Sequence, residues 1–371
     1  MPGHAAGSAV GVVVVQRVPG DVAAGNTPTQ ATFFWSVLSI FALFLGIGAV
    51  LYVYGQMKTA PVDVFDSDDE GGSQTYLTTY DLENEYVRPT QRSTYKFFVL
   101  AIVVFGVQIL GGVIAATDFV RPFGVSLNEL IPFSVARSYH TLLQIFWFFM
   151  CWVGYTLFFL PRISKVPKGQ KFLINVLFAL CMITGVGALV GIYLGQTGMI
   201  TGDMAYWFGS QGWEFMELGR FFQMTLLAAF SLWIFIIYRG VKPWLTRKNI
   251  WSVPSWLLYG SGIMVMFLFF GLLVQPEMNF AISDYWRWMV VHMWVEVTFE
   301  VFTTVIIGYM LVQMGLITRL MAERVIFLAV MLFLITATIG ISHNFYWIAK
   351  PTGIIALGSV FSTLQVLPLL L

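Results

Sequence analysis

His292 and Glu296 lie four residues apart in the apolar stretch Trp286-Arg-Trp-Met-Val-Val-His292-Met-Trp-Val-Glu296-Val-Thr-Phe-Glu300, and another apolar stretch ends in Gly340-Ile-Ser-His343-Asn344-Phe-Tyr-Trp347. Ionisable side chains are costly in lipid and normally face a bundle interior, where they hold metals, pass ions or relay protons. An imidazole and a carboxylate at i and i+4, joined by an imidazole from a neighbouring helix, form a sensible ligand set for a mid-row transition metal such as iron. In a continuous α-helix Glu296 sits roughly 6 Å below His292, with Glu300 one turn deeper on the same face. The competing reading makes each of these a polar residue that bridges helices by hydrogen bonds. Three histidines at one depth favour the metal.

These residues need a membrane around them. Of the 371 residues 58% are hydrophobic and only 11% charged, which excludes an ordinary soluble domain. Apolar runs long enough to span lie at Phe33 to Tyr54, Phe97 to Ala116, Thr141 to Leu160, Phe172 to Leu194, Phe221 to Tyr238, Trp256 to Val274, Trp288 to Leu316, Val325 to Ile341 and Ile354 to Leu371. The expected fold is therefore all-α, a multi-pass transmembrane helical bundle of about nine spans. Residues 1–32 read as a polar N-terminal tail containing His4, and 33–371 as the transmembrane domain. Val10 to Val15 is too short to span and has no basic flank, so it does not read as a signal peptide. The last run ends at Leu371 without a basic anchor, the pattern of a partial or split protein. Near-zero net charge gives no electrostatic case for nucleic acid. Cys151 and Cys181 sit singly within spans and read as packing residues.

Basic residues alternate between loops. Lys58, Arg88, Arg92, Lys96, Arg162, Lys165, Lys168, Lys171, Arg239, Lys242, Arg247, Lys248, Arg319 and Arg324 gather on one side, against Arg17, Arg121, Arg137, Arg220, Arg287 and Lys350 on the other. The positive-inside rule makes the richer side cytoplasmic and the N-terminus external, in a cell (inner) membrane. The acidic run Asp63 to Glu70 then reads as a solvated cytoplasmic linker. His140, His292 and His343 all fall in the outer half of the membrane, and Gln365 descends to a depth similar to Glu300.

At these residues the chain resembles a known family. His292-Met-Trp-Val-Glu-Val-Thr-Phe-Glu-Val-Phe302 is similar to the His-Leu-Trp-Val-Glu motif of the respiratory nitric oxide reductases, particularly the quinol-dependent type of the haem-copper oxidase superfamily. Pro89 to Phe98, Pro132 to His140 with Gln144-Ile-Phe-Trp147, Gln211 to Arg220, and Ala356 to Phe361 resemble that family in the same order. The resemblance implies a subunit I-like bundle with a low-spin haem b, a high-spin haem b3 and a non-haem iron. On it, His140 is an axial ligand of the low-spin haem, and His292, Glu296 and His343 are ligands of the non-haem iron. Glu214 and Glu217 match an acidic pair near the haem propionates that relatives use for calcium or quinol; a helix-start pair of carboxylates is the equal alternative. Arg220 and Arg287 are placed to pair with propionates or with lipid headgroups.

The departures from the reductases carry the functional expectation. Where reductases have two adjacent histidines this chain has His343-Asn344, and an amide is the weaker ligand. Where they have Ala-Leu-Glu it has Thr363-Leu-Gln365, and the histidine of quinol-dependent relatives before Gln-Gly-Tyr/Trp-Glu is here Ser210. Reducing two NO to nitrous oxide needs two electrons and two protons; converting two NO to N2 and O2 needs neither. The combined substitutions resemble the nitric oxide dismutases, with Glu296, Glu300, Asn344 and Gln365 as the catalytic set and nitric oxide as the substrate. A quinol-dependent reductase is the alternative, followed by a non-catalytic fragment or a transporter with a polar midplane site. In the family two more histidines, one for each haem, come from a helix beyond Leu371, so full haem ligation is expected to need C-terminal helices outside this sequence.

Overall fold

The computed structural model describes residues 87–212, 216–292, 296, 300–338 and 352–364, with a few isolated positions between 30 and 52. Those residues are helical apart from turns and one isolated bridge between Ser210 and Leu218. The helices are α1 (Val87–Val120), α2 (Phe133–Phe159), α3 (Gln170–Gln196), the short α4 (Gly202–Phe208), α5 (Arg220–Val241), α6 (Val253–Phe270), α7 (Phe280–His292), α8 (Thr303–Gln313), α9 (Arg319–Thr338) and α10 (Thr352–Leu364). Five helices among the described residues, α1, α2, α3, α5 and α6, are long and apolar enough to cross a membrane. The chain is a multi-pass, all-α membrane protein. Most of the first expected span, residues 33–54, the polar tail before it and the end of the ninth span lie outside the described residues.

Contacts divide the chain into two units. In the smaller, which includes residues 113–130, the end of α1 turns back on itself. Asn128 donates from Nδ2 to the Ile114 carbonyl at 3.0 Å, and Thr117 Oγ1 accepts from the Leu127 amide at 2.9 Å. The larger unit holds the helices that carry the candidate chemistry.

Small residues let those helices approach. In α3, Gly187, Gly191 and Gly195 recur every four residues and form one bare stripe, as in small-xxx-small membrane contacts. A Cβ on Gly191 would lie 2.0 Å from the Phe208 carbonyl oxygen, and one on Gly195 2.6 Å from the Ser210 nitrogen. On Gly187 it would lie 2.3 Å from Cε1 of Phe222. The stripe is thus the floor on which α4, the loop after it and the start of α5 are laid. Farther in, Trp233 of α5 packs edge-on to Phe302 at 5.4 Å, and Trp152 of α2 meets the same ring at 5.8 Å. Trp233 Nε1 donates to Thr156 Oγ1 at 3.1 Å, so the buried indole keeps a partner in the apolar interior.

The expected seventh span is not one α-helix. α7 ends at His292, Glu296 and Glu300–Phe302 have π-helical pairing, and α8 starts at Thr303. π-type turns inside α-helices are uncommon and concentrate at functional sites. Apolar and carboxylate residues spaced by four suit either kind of turn, so this departure could not be read from the pattern. Phe302, fully buried, anchors the π-helical turn: it lies between Trp152 and Trp233, with its Cδ2 3.2 Å from where a Cβ on Gly260 would stand.

Candidate functional site

His140 lies in α2 against α1. Its Nδ1 is 2.9 Å from the Gln108 main-chain oxygen and 2.9 Å from the Gln108 side-chain amide. Contact is close because α1 carries Gly111-Gly112 at this level. A Cβ on Gly112 would stand 2.6 Å from both Nδ1 and Cε1 of the ring, and one on Gly111 3.3 Å from the His140 backbone nitrogen. One ring nitrogen is held by protein, the arrangement common to histidines that bind a metal through the other. The residues around His140 therefore fit an axial ligand of a haem.

Glu296 is buried, at 2% exposure, in the π-helical region, and half-buried Glu300 follows one turn later. Oε2 of Glu300 is buried without a hydrogen-bond partner among the described residues. A membrane-embedded carboxylate of this kind is suited to a cation or proton partner. His292 is the last residue of α7; its side chain, like His343, Asn344 and Gln365, lies outside the described residues. No three His, Cys, Asp or Glu side chains make a metal-sized cluster among the described residues, which do not include the imidazoles of His292 and His343.

Glu217 is 2% exposed in the loop between α4 and α5, while Glu214 lies outside the described residues. The loop folds back on itself: the Gln211 amide donates to the Glu217 carbonyl at 3.0 Å, and Gln211 Nε2 to the Tyr206 carbonyl at 2.6 Å. Ser210 takes part in the same fold. Its Oγ accepts from the Gly212 amide at 3.2 Å and from Gln196 Nε2 at 3.4 Å, and Gln196 also reaches Ser138 at 2.9 Å. Met216, beside Glu217, faces a small cavity of about 50 Å³ together with Gly271 and Val290, which places the acidic loop near the end of α7 that leads to His292.

The two arginines expected on the outer side have different surroundings. Arg220, buried at the start of α5, donates from Nε to the Tyr206 hydroxyl at 2.9 Å and from one terminal nitrogen to Gln223 Oε1 at 3.0 Å and the Gly271 carbonyl at 3.3 Å. Its other terminal nitrogen donates to the Val274 carbonyl. Among the described residues these acceptors are all neutral, so the guanidinium clamps the bend after α6 to α4 and α5. Arg287 pairs with Asp284 one turn earlier on α7, at 2.7 Å; that carboxylate is completely buried. Asp284 and Gln108 were missed as site residues from sequence. The Asp284-x-x-Arg287 spacing was a usable signal, whereas nothing local marks Gln108.

A separate cavity of about 110 Å³ lies among α2, α3 and α5, lined by Phe149, Val153, Cys181, Ala188, Phe230 and Trp233 among others. Its wall is almost wholly apolar, and Cys181 is a buried free thiol in it, as expected of a packing residue.

Known proteins agree with this architecture. The chain is similar to a component polypeptide of the nitric oxide reductase of Stutzerimonas stutzeri, with 28% identity over 284 residues, 75% of this chain and 57% of that protein. It thus spans a little over half the length of that relative. The sequence pattern of the family described as cytochrome c and quinol oxidase polypeptide I matches residues 92–371, the stretch that holds His140, His292, Glu296 and His343. The chain belongs to the cytochrome c and quinol oxidase polypeptide I family.

Proposed function

We propose that the complete protein is an oxidoreductase that converts two molecules of nitric oxide to N2 and O2. In this reading His140 is an axial ligand of a low-spin haem b, and His292, Glu296 and His343 bind a non-haem iron facing a high-spin haem b3. That pair of centres would supply two adjacent metals at which the diatomic molecules react. Glu300, Asn344 and Gln365 complete the catalytic set in this reading, and Glu214, Glu217, Arg220 and Arg287 are assigned to the outer side, where propionates, calcium or quinol would be met. The apolar cavity among α2, α3 and α5 has the right chemistry for an uncharged diatomic drawn from lipid. The N-terminus lies outside the cell membrane.

The observation that carries dismutation over reduction is the state of Ser210. A quinol histidine is expected at this position in a quinol-oxidising relative; here a serine hydroxyl closes the loop through Gly212 and Gln196. A hydroxyl cannot take up and hold a quinol proton at neutral pH as an imidazole does. With Gln365 in place of a carboxylate, the chain has given up groups that a reaction consuming two electrons and two protons uses. Dismutation has no such need, because two NO become N2 and O2 with all atoms and electrons balanced. The similarity to a nitric oxide reductase component favours the second reading, reduction of NO to nitrous oxide at the same centre. An electron count separates them: the complete protein, supplied with NO and no reductant, should keep consuming NO at a rate that added quinol leaves unchanged. Consumption that stops without quinol, with one quinol oxidised for every two NO, assigns reduction instead.

A further inference from the structure

We propose that Gln108 is a positioning residue that, with Gly112, sets the tautomer and ring orientation of His140 and thereby tunes the low-spin haem. The proposal rests on His140 being a ligand of that haem. A main-chain carbonyl can only accept, so the 2.9 Å contact to the Gln108 oxygen requires that Nδ1 of His140 carry the proton. The lone pair is then on Nε2, the nitrogen left to bind iron. The Gln108 side-chain nitrogen, 2.9 Å from the same Nδ1, would place two donors face to face. Turning the amide by half a rotation, which leaves its shape unchanged, brings Oε1 to the proton and resolves the conflict. Nδ1–H is then shared between two acceptors of one residue.

The helix makes this possible within a single turn. Gln108 and Gly112 are four apart, so the carbonyl that closes the α-helical turn toward Gly112 spends its second lone pair on the imidazole. Gly112 must lack a side chain for the ring to reach it, since a Cβ there would stand 2.6 Å from Nδ1. Gln108 is itself 7% exposed, so water does not compete for the bond. Donation of the remote N–H to an acceptor makes a metal-binding imidazole a stronger donor to its metal and stabilises the oxidised form.

The test uses the complete, haem-loaded protein and reads the absorption and reduction potential of the low-spin haem, apart from turnover. His140→Ala should abolish the low-spin signal; its survival would remove the haem-ligand reading on which the proposal rests. Given that loss, Gln108→Leu should raise the potential and Gln108→Glu, a stronger acceptor of the same shape, should lower it, both with haem retained. Shifts of the same sign, or none, overturn the proposal while leaving His140 as ligand. If the leucine variant does not fold, Gln108→Glu decides by itself: a lower potential supports the proposal, and an unchanged or higher one overturns it.

Discussion

At the crossing of α1 and α2, a histidine is seated by regular helix geometry: two glycines clear the space and one residue of the facing helix grips the ring. Around Glu296 the helix itself changes. Its π-helical turn is wider than an α-turn, so residues four apart fall short of a full rotation instead of passing it. The first arrangement fixes one side chain in a regular bundle. The second alters the pitch of the backbone at Glu296 and at Glu300–Phe302. Rigidity in the first place comes from close backbone approach; in the second it comes from Phe302, locked among Trp152, Trp233 and Gly260.

The contrast can be broken most sharply at the carboxylate. Glu296→Ala should lower iron content of the complete protein by more than the roughly 10–100-fold typical of losing a partner that merely orients a ligand. Metal analysis of purified protein checks this, and iron retained at the native level would separate Glu296 from any metal. Next in size is the glycine floor. Gly191→Ala places a methyl 2.0 Å from the Phe208 carbonyl, a backbone atom that cannot step aside. It should destabilise by at least about 1–3 kcal/mol, the usual cost of overpacking, seen as a lower unfolding temperature in detergent. The loop with Glu217 should loosen first, read by faster amide exchange in residues 205–219.

Arg220→Met keeps the apolar stem but strands the Gly271 and Val274 carbonyls and the Tyr206 hydroxyl. A loss of about 1–3 kcal/mol is expected, with Arg220→Lys recovering only part because one ammonium cannot span four acceptors. Smallest of all is Gly262→Ala: a Cβ there meets nothing within 4 Å, and stability should change by no more than about 1 kcal/mol, in the stabilising direction. Equal effects at Gly191 and Gly262 would show that close approach is not what the stripe provides.

Much of this organisation was legible in the sequence, because ionisable residues in apolar runs are conspicuous. The burial of Glu296 and the order of the helices followed from such contrasts. What stayed hidden was relational. The seat at Gln108 depends on which helix faces α2, and the clamp at Arg220 on a bend fifty residues later in the chain. The repeat Gly187, Gly191, Gly195 was visible as a spacing, but the loop that rests on it was not. Ser210 stood out by its contrast with the family, whereas its bonds to Gly212 and Gln196 needed coordinates.

The fate of nitrogen and oxygen from NO separates dismutation from reduction. The complete protein, given NO labelled in both atoms and no reductant, should release doubly labelled N2 and O2 in equal amounts, followed by mass spectrometry of the headspace. Labelled nitrous oxide alone, formed only after quinol is added, would contradict the account.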